Sequence, residues 1–165
     1  MNVLRKAMPR YEAYKDSGVE WLGEIPAHWA IARLKHTLKL VSEKISSRHT
    51  SYNYYGMENV ESCTGKFVDN EGEVEGLANR FKRGDILFGK LRPYLAKVAL
   101  ADRDGICSTE FLVYRSNDFH ISDYFRYLIL SKPFVELIDS STYVSKMPRA
   151  SAEFIGGQSI LKPPK

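Results

Sequence analysis

The chain has 165 residues, 44% of them hydrophobic, with a net charge of +4 and two cysteines. That is enough apolar material for one globular unit with a real core, and Cys63 and Cys107 are too few and too far apart for a disulfide framework or a four-ligand metal site, so both are expected as small buried or half-buried thiols. No apolar run approaches the roughly twenty residues of a membrane span and the N-terminus lacks the apolar core of a secretion signal, so a cytoplasmic protein is expected.

Residues 14 to 29, "YKDSGVEWLGEIPAHW", mix Gly, Pro and two Trp without helical or strand period, and read as an ordered lead-in pinned to the body by its aromatics. In "AIARLKHTLKLVSEKI", Ile31, Leu34, Leu38, Val41 and Ile45 recur at steps of three and four, which predicts one apolar stripe of a helix, although Leu40 and Val41 also suit the start of a strand. A polar loop, "SSRHTSYNYYG", comes next, then short strand-like pieces around Met57 to Val60 and Gly65 to Val68, and an acidic hairpin region. Ile86 to Phe88 is a short apolar run after Gly84-Asp85 and is predicted to be a buried strand. Val98 to Ala101 and Phe111 to Tyr114 are predicted as two more, separated by the turn "DRDG". Ser122 is placed to cap a helix carrying Phe125, Leu128 and Ile129, and Pro133 opens another that carries Phe134, Val135, Leu137 and Ile138. The stretch "SSTYVSKMPRAS" that follows is polar and basic, with no period. Strands in the middle and helices gathered late give an α+β class: one domain with a central, mostly antiparallel twisted sheet and a few helices. The expected boundaries are a lead-in over 1–30 packed on a domain over 31–165.

Charge is segregated along the chain. Residues 58 to 76 carry six acids (Glu58, Glu61, Asp69, Glu71, Glu73, Glu75) and one base, Lys66, whereas 80 to 103 carry seven bases (Arg80, Lys82, Arg83, Lys90, Arg92, Lys97, Arg103) and two acids. The acidic block reads as a solvated face; the basic block interleaves with Phe81, Phe88 and Tyr94. Within it, Gly84, Gly89 and Lys90 match a phosphate-binding loop, but Leu91 stands where a magnesium-binding hydroxyl is required, and Asp85-Ile86-Leu87-Phe88 is an apolar strand rather than a loop with free amides. A nucleotide-dependent enzyme using Gly84 to Lys90 is therefore a rival reading. If the chain stays extended past Gly89, period two puts Lys90, Arg92 and Tyr94 on one face, and Pro93 places that ridge at a sheet edge or a bend. Such a ridge suits either an outside partner or an edge defended by charge against aggregation.

No acid-x-Lys triplet of a metal nuclease is present, and His28, His36, His49 and His120 form no HxH or HxxxH pair, so no metal site is expected. Ser108, Thr109 and Glu110 lack a glycine elbow and a nearby histidine and read as a hydroxyl-rich strand start. The methyltransferase pattern of a glycine-rich loop followed by a strand-end acid is likewise missing. Tyr52, Tyr54 and Tyr55 follow Arg48 and His49 around Asn53, an aromatic and basic loop suited to stacking on bases or lying along phosphates, with two of the three tyrosines expected as core anchors.

Four stretches taken together, "YKDSGVEWLGEIPAHW", "YYGMENVESCTGKF", "GDILFGKLRPYLAKVALADRDGICSTEFLVYR" and "FRYLILSKPFVELIDSSTYVSKMPRASAEFIGG", resemble the specificity subunits of type I restriction-modification systems. The resemblance implies a target recognition domain: an α+β module that reads one half of a split site in duplex DNA and is itself noncatalytic. It implies as partners double-stranded DNA, a modification (methyltransferase) subunit and, through it, a restriction subunit. S-adenosylmethionine, ATP and magnesium are expected only in those partner subunits. A full subunit of that family looks like two such domains separated by long helices, so one domain here leaves the assembly open. The DNA-binding candidates are Arg48, Asn53, Tyr55, Arg80, Lys82, Arg83, Lys90, Arg92, Tyr94, Lys97, Tyr143, Lys146 and Arg149, the cations for phosphates and Asn53, Tyr143 or an arginine for base edges. With about five phosphates neutralised, log affinity would fall with log salt at a slope of roughly −4 to −5. All of this requires the cations of the middle to converge with those near the end on one concave positive wall. The remaining rival is an interaction module whose basic face meets an acidic protein.

Overall fold

A computed structural model describes residues 9–69, 74, 76–117 and 119–164. The lead-in forms a hairpin of β1 (Tyr14–Asp16) and β2 (Glu24–Pro26), paired antiparallel. Its indoles pack on the body, with the rings of Trp21 and Phe134 5.5 Å apart and those of Trp29 and Tyr124 5.8 Å apart.

The predicted helix over 31–45 is replaced by strand, turn and strand: β3 (Ala30–Arg33), the single turn α1 (Leu34–Thr37), β4 (Lys39–Val41) and β5 (Lys44–Ser46). The apolar spacing identifies inward positions correctly, since Leu34, Leu38 and Val41 are all buried. The element differs because Arg33 provides no cap for α1, whose first turn has no acid, while strand partners far along the chain claim both flanks. Those partners are β12 (Ser159–Lys162) for β3 and β11 (Phe111–Arg115) for β4.

Two four-stranded sheets form the centre. One runs β4, β11, β8 (Ile86–Gly89), β9 (Val98–Leu100); the other runs β5, β7 (Leu77–Phe81), β10 (Gly105–Ser108), β6 (Tyr54–Tyr55). Among the described strands only the β10–β6 pairing is parallel. The mostly antiparallel α+β class is thus what the chain adopts, with the central sheet split in two. β7 and β10 escape the sequence reading: "LANRF" carries little β-branched character, and "GICS" follows directly on the turn at Asp104. Gly105 serves a close approach there, because a Cβ on it would lie 2.7 Å from the Phe81 ring. Met57–Asn59 is a 3-10 turn rather than a strand piece, closed by the Gly56 amide donating to Asn59 Oδ1 at 2.8 Å, while Val60 does bridge to Phe67. Within the expected acidic hairpin, Glu71, Glu73 and Glu75 lie outside the described residues.

The pleat of β8 sorts the core into two layers. Ile86 and Phe88 point to the helices, where they join Val98, Tyr114, Leu34, Leu38 and Ile160. Leu87 points the other way and joins Ala99, Val113, Phe111, Phe81, Cys107 and Tyr55 between the two sheets. Asn79, 5% exposed, ties those sheets together by donating to the Phe111 carbonyl (3.0 Å), and within its own sheet it accepts from Lys44 Nζ (2.6 Å). The helices over the first layer are α2 (Phe119–Leu130) and α3 (Lys132–Ser140), which bury Phe125, Ile129, Phe134 and Ile138. Pro133 does sit in the first turn of α3, but Ser122 lies inside α2, 1% exposed, because that helix starts at Phe119, four residues before the Asp123 start that a cap at Ser122 implies. Of the thiols, Cys107 is buried and Cys63 is exposed rather than half-buried.

A short helix, α4 (Ala152–Gly156), carries Ile155 into the core and leads into β12. Its N-cap is Ser151, whose hydroxyl accepts from the Phe154 amide at 3.3 Å. Ser151→Ala is expected to lower stability by about 1 kcal/mol, read as a shift of the urea midpoint with unchanged slope; no shift would mean that the cap carries no weight.

Candidate nucleic-acid interface

Gly84 to Gly89 cannot cradle phosphates. Ile86 to Gly89 is a strand buried on both faces and paired on both edges, with β11 and β9. The amides flanking it are engaged as well: Gly84 donates to the Ala101 carbonyl (2.8 Å), Gly89 to Lys97 (2.9 Å) and Lys90 to Glu110 (2.9 Å). A phosphate loop needs these donors turned outward and free, so the nucleotide-loop reading of this segment falls.

The extended ridge of Lys90, Arg92 and Tyr94 is also not what forms. The chain stays extended only to Leu91, which bridges to Arg149; Arg92 then takes a left-handed conformation (φ 49°, ψ 64°) and Pro93–Leu95 winds into a 3-10 turn. One left-handed residue breaks the period of two. Tyr94, 52% exposed, consequently leaves the cations and lines a groove with Cys63, Ala96, Leu130, Val135 and Glu136.

What replaces the ridge is a cluster assembled from two distant segments. The Ala150 amide donates to the Lys90 carbonyl (2.8 Å), the Arg92 amide to the Pro148 carbonyl (2.7 Å), and Arg92 Nε to the Lys146 carbonyl (3.3 Å). These bonds fasten the loop 141–151 to the end of β8, so Lys90, Arg92, Lys146 and Arg149 share one end of the sheet. Arg149 is held in a two-pronged contact with Glu110, Nη2 to Oε1 at 2.7 Å and Nε to both oxygens at 3.0 and 3.1 Å, and this carboxylate raises its pKa further above the ordinary guanidinium range. Lys146 is exposed and Lys90 and Arg92 are half-buried. Tyr143 stands on the same loop, 92% exposed.

The other candidates are not part of this cluster. Lys82 and Arg83 are exposed in the turn before β8, with the strand, about 13 Å long at roughly 3.3 Å per residue, between them and Lys90. Acids crowd that end: Asp102 pairs with Arg103 at 2.6 Å, Asp104 accepts from the Arg83 amide at 2.9 Å, and Asp85 is bound to Arg115 at 2.7 Å. Contact with Arg103 holds the Asp102 carboxyl below its ordinary range. Arg80, half-buried, lies over the Tyr52 ring at 5.0 Å and donates to its hydroxyl at 2.8 Å. Nearby, Asn53 is exposed and accepts from the Ile106 amide through its backbone carbonyl. Arg48 is exposed in the 3-10 turn Ser47–His49. Lys97 spends its ammonium on the Met57 carbonyl at 2.6 Å.

Tyr55 is removed from the surface altogether: it is 8% exposed, with its ring 4.7 Å from Phe67 and 5.7 Å from Phe81. As a core anchor it has no free face for a base. The single concave wall is thus corrected to one net-positive cluster, four bases against Glu110, and a second group of cations interleaved with acids at the far end. Sequence reasoning missed Glu110 as the partner of Arg149, 39 residues away, and no local pattern announces it. Among the described residues, no group of three or more His, Cys, Asp or Glu is placed to hold a metal ion, and no helix is long and apolar enough to cross a membrane.

No protein-family profile matches the chain. It is 26% identical over 149 residues, 87% of its length, to the type I restriction enzyme EcoDI specificity subunit of Escherichia coli, of which it covers 33%. A structure solved for the assembly and conformational transition of a type I restriction-modification system superposes with a TM-score of 0.71 at 26% identity, covering 85% of this chain and 39% of that one. The HsdS subunit of Thermoanaerobacter tengcongensis superposes at 0.64 with 23% identity, again over 85% of this chain and 39% of its own. The chain therefore spans between a third and two fifths of the relatives it matches. Over that one domain-sized stretch, it is similar in sequence to type I restriction-modification specificity subunits and shares their fold.

Proposed function

We propose that this chain is a noncatalytic domain that binds double-stranded DNA and reads one half of a split target within a type I restriction-modification complex in the cytoplasm. The observation that carries the proposal is the fastening of loop 141–151 onto the end of β8, which gathers Lys90, Arg92, Lys146 and Arg149 beside the exposed Tyr143. Similarity to specificity subunits selects DNA over other anionic partners for that cluster. The cations position the duplex through its phosphates, and the loop side chains meet base edges. Chemistry belongs to the modification and restriction subunits, which bind S-adenosylmethionine, ATP and magnesium.

Four clustered cations, one of them shared with Glu110, lower the expected salt dependence from that of five contacts. Log affinity for duplex DNA should fall with log salt at a slope of roughly −3 to −4, measured by fluorescence anisotropy on the purified chain between low and physiological salt. Selection from a randomised duplex pool should enrich one short motif. A flat salt response together with no enriched motif would overturn the proposal.

A further inference from the structure

The tip of loop 141–151 carries apolar side chains that the fold does not use. Val144 is as exposed as a side chain can be, at 108% of its reference area, Tyr143 is 92% exposed and Met147 47%. Isolated exposed apolar residues are ordinary on a protein surface, but here three fall within five positions. None belongs to either core layer, so their burial contributes little or nothing to folding.

The stem beneath them is fixed. Thr142 Oγ1 donates to the Asp139 carbonyl at 2.7 Å at one side of the loop, Met147 N donates to Ser145 Oγ at 3.2 Å within it, and the carbonyls of Lys146 and Pro148 are held by Arg92 at the other side. A tip held on bound flanks presents its apolar groups with little ordering cost on contact. Its neighbours are the cations Lys90, Arg92, Lys146 and Arg149, a net-positive group even with Glu110 paired to Arg149, whereas the acids of α3, Glu136 and Asp139, line the groove with Tyr94 and Lys132. The surroundings therefore select a polyanion as the body against which the tip rests.

Within a duplex, the apolar group displayed at a groove edge and absent from the other bases is the 5-methyl of thymine. We infer that Val144, with Met147 beside it, reads thymine methyl groups in the major groove, so that this domain's half-site contains at least one thymine recognised by apolar contact rather than by hydrogen bonding. The inference rests on the DNA-binding function proposed above. It adds two residues that a search for cations and amides passes over.

The test uses the motif selected by the wild-type chain and the same duplex with each thymine replaced in turn by uracil, which deletes only the methyl. At one thymine or more the wild type should lose about fourfold in affinity per methyl removed from contact. Val144→Ala should weaken binding to the unmodified duplex by at least about fourfold and respond to that uracil no longer; Met147→Ala serves as the second variant. Because the Val144 side chain stands fully in solvent, thermal melting of Val144→Ala should match wild type. A motif without thymine, a wild type indifferent to every uracil, or tip variants that keep full uracil sensitivity would each overturn the inference. So would variants with unchanged DNA binding that instead lose capture by the modification subunit, since the tip would then be a protein contact. If the wild type binds no duplex with salt dependence and enriches no motif, the DNA-binding function itself fails.

Discussion

Asp85→Ala should destabilise the domain by about 3–5 kcal/mol, the cost of stripping one partner from a buried ion pair. Asp85 is 1% exposed, and its carboxylate accepts Arg115 Nε and Nη2 at 2.7 Å each and the Lys82 amide at 2.8 Å. With the carboxylate gone, the guanidinium of Arg115, its side chain 27% exposed, keeps only a 3.7 Å contact with Glu43, and the Lys82 amide loses its acceptor. A guanidinium left with one long contact at a partly buried site and an amide left without its acceptor both cost stability. For a chain of this size the loss corresponds to a melting point lower by roughly 6–20 °C, measurable by calorimetry. Asp85→Asn retains an acceptor oxygen and should fall between wild type and alanine. A change of stability below about 1 kcal/mol for the alanine variant would show that solvent replaces the pair at little cost.

The physical origin of that pair also explains why the notion of a uniformly basic middle segment does not hold. Arg80 to Arg103 is rich in bases on paper, yet folding brings Asp85, Asp102 and Asp104 to the same end of β8 as Lys82, Arg83 and Arg103. Linear charge density reports neighbours in sequence; the electrostatics of a surface depends on neighbours in space. Features fixed within a few residues were legible: the apolar run of Ile86 to Phe88, the strands at 98–100 and 111–115, and the helix opened by Pro133. The stripe from Ile31 to Ile45 shows the intermediate case. Its spacing marks which side chains face inward, but whether they do so from a helix or from strands depends on partners as remote as Leu161, which pairs with Ile31. The site depends on two local events with no strong sequence signature. One is the left-handed turn at Arg92, which sends Tyr94 away from Lys90; the other is the fastening of Lys146 to Arg92 across 54 residues.

Those two events make the location of the interface testable by charge removal. Replacing Lys90, Arg92 and Lys146 together by glutamine should reduce the salt slope by about 0.9 per cation and weaken binding near 0.15 M salt by about two orders of magnitude. Because phosphates are common to all sequences, the loss should be nearly uniform across duplexes and leave the preferred motif unchanged. Neutralising Arg80, Lys82 and Arg83 supplies the comparison: with acids interleaved among them and the Arg80 guanidinium bound to Tyr52, the slope should change by less than about one unit. Glutamine keeps the length of each side chain without the charge, so a fall confined to the first set locates the phosphate track at the end of β8 that carries the loop. The opposite pattern would move that track to the far end of the strand, where a duplex would have to compete with Asp102 for the Arg103 guanidinium and bind beside Asp104, which is held by the Arg83 amide.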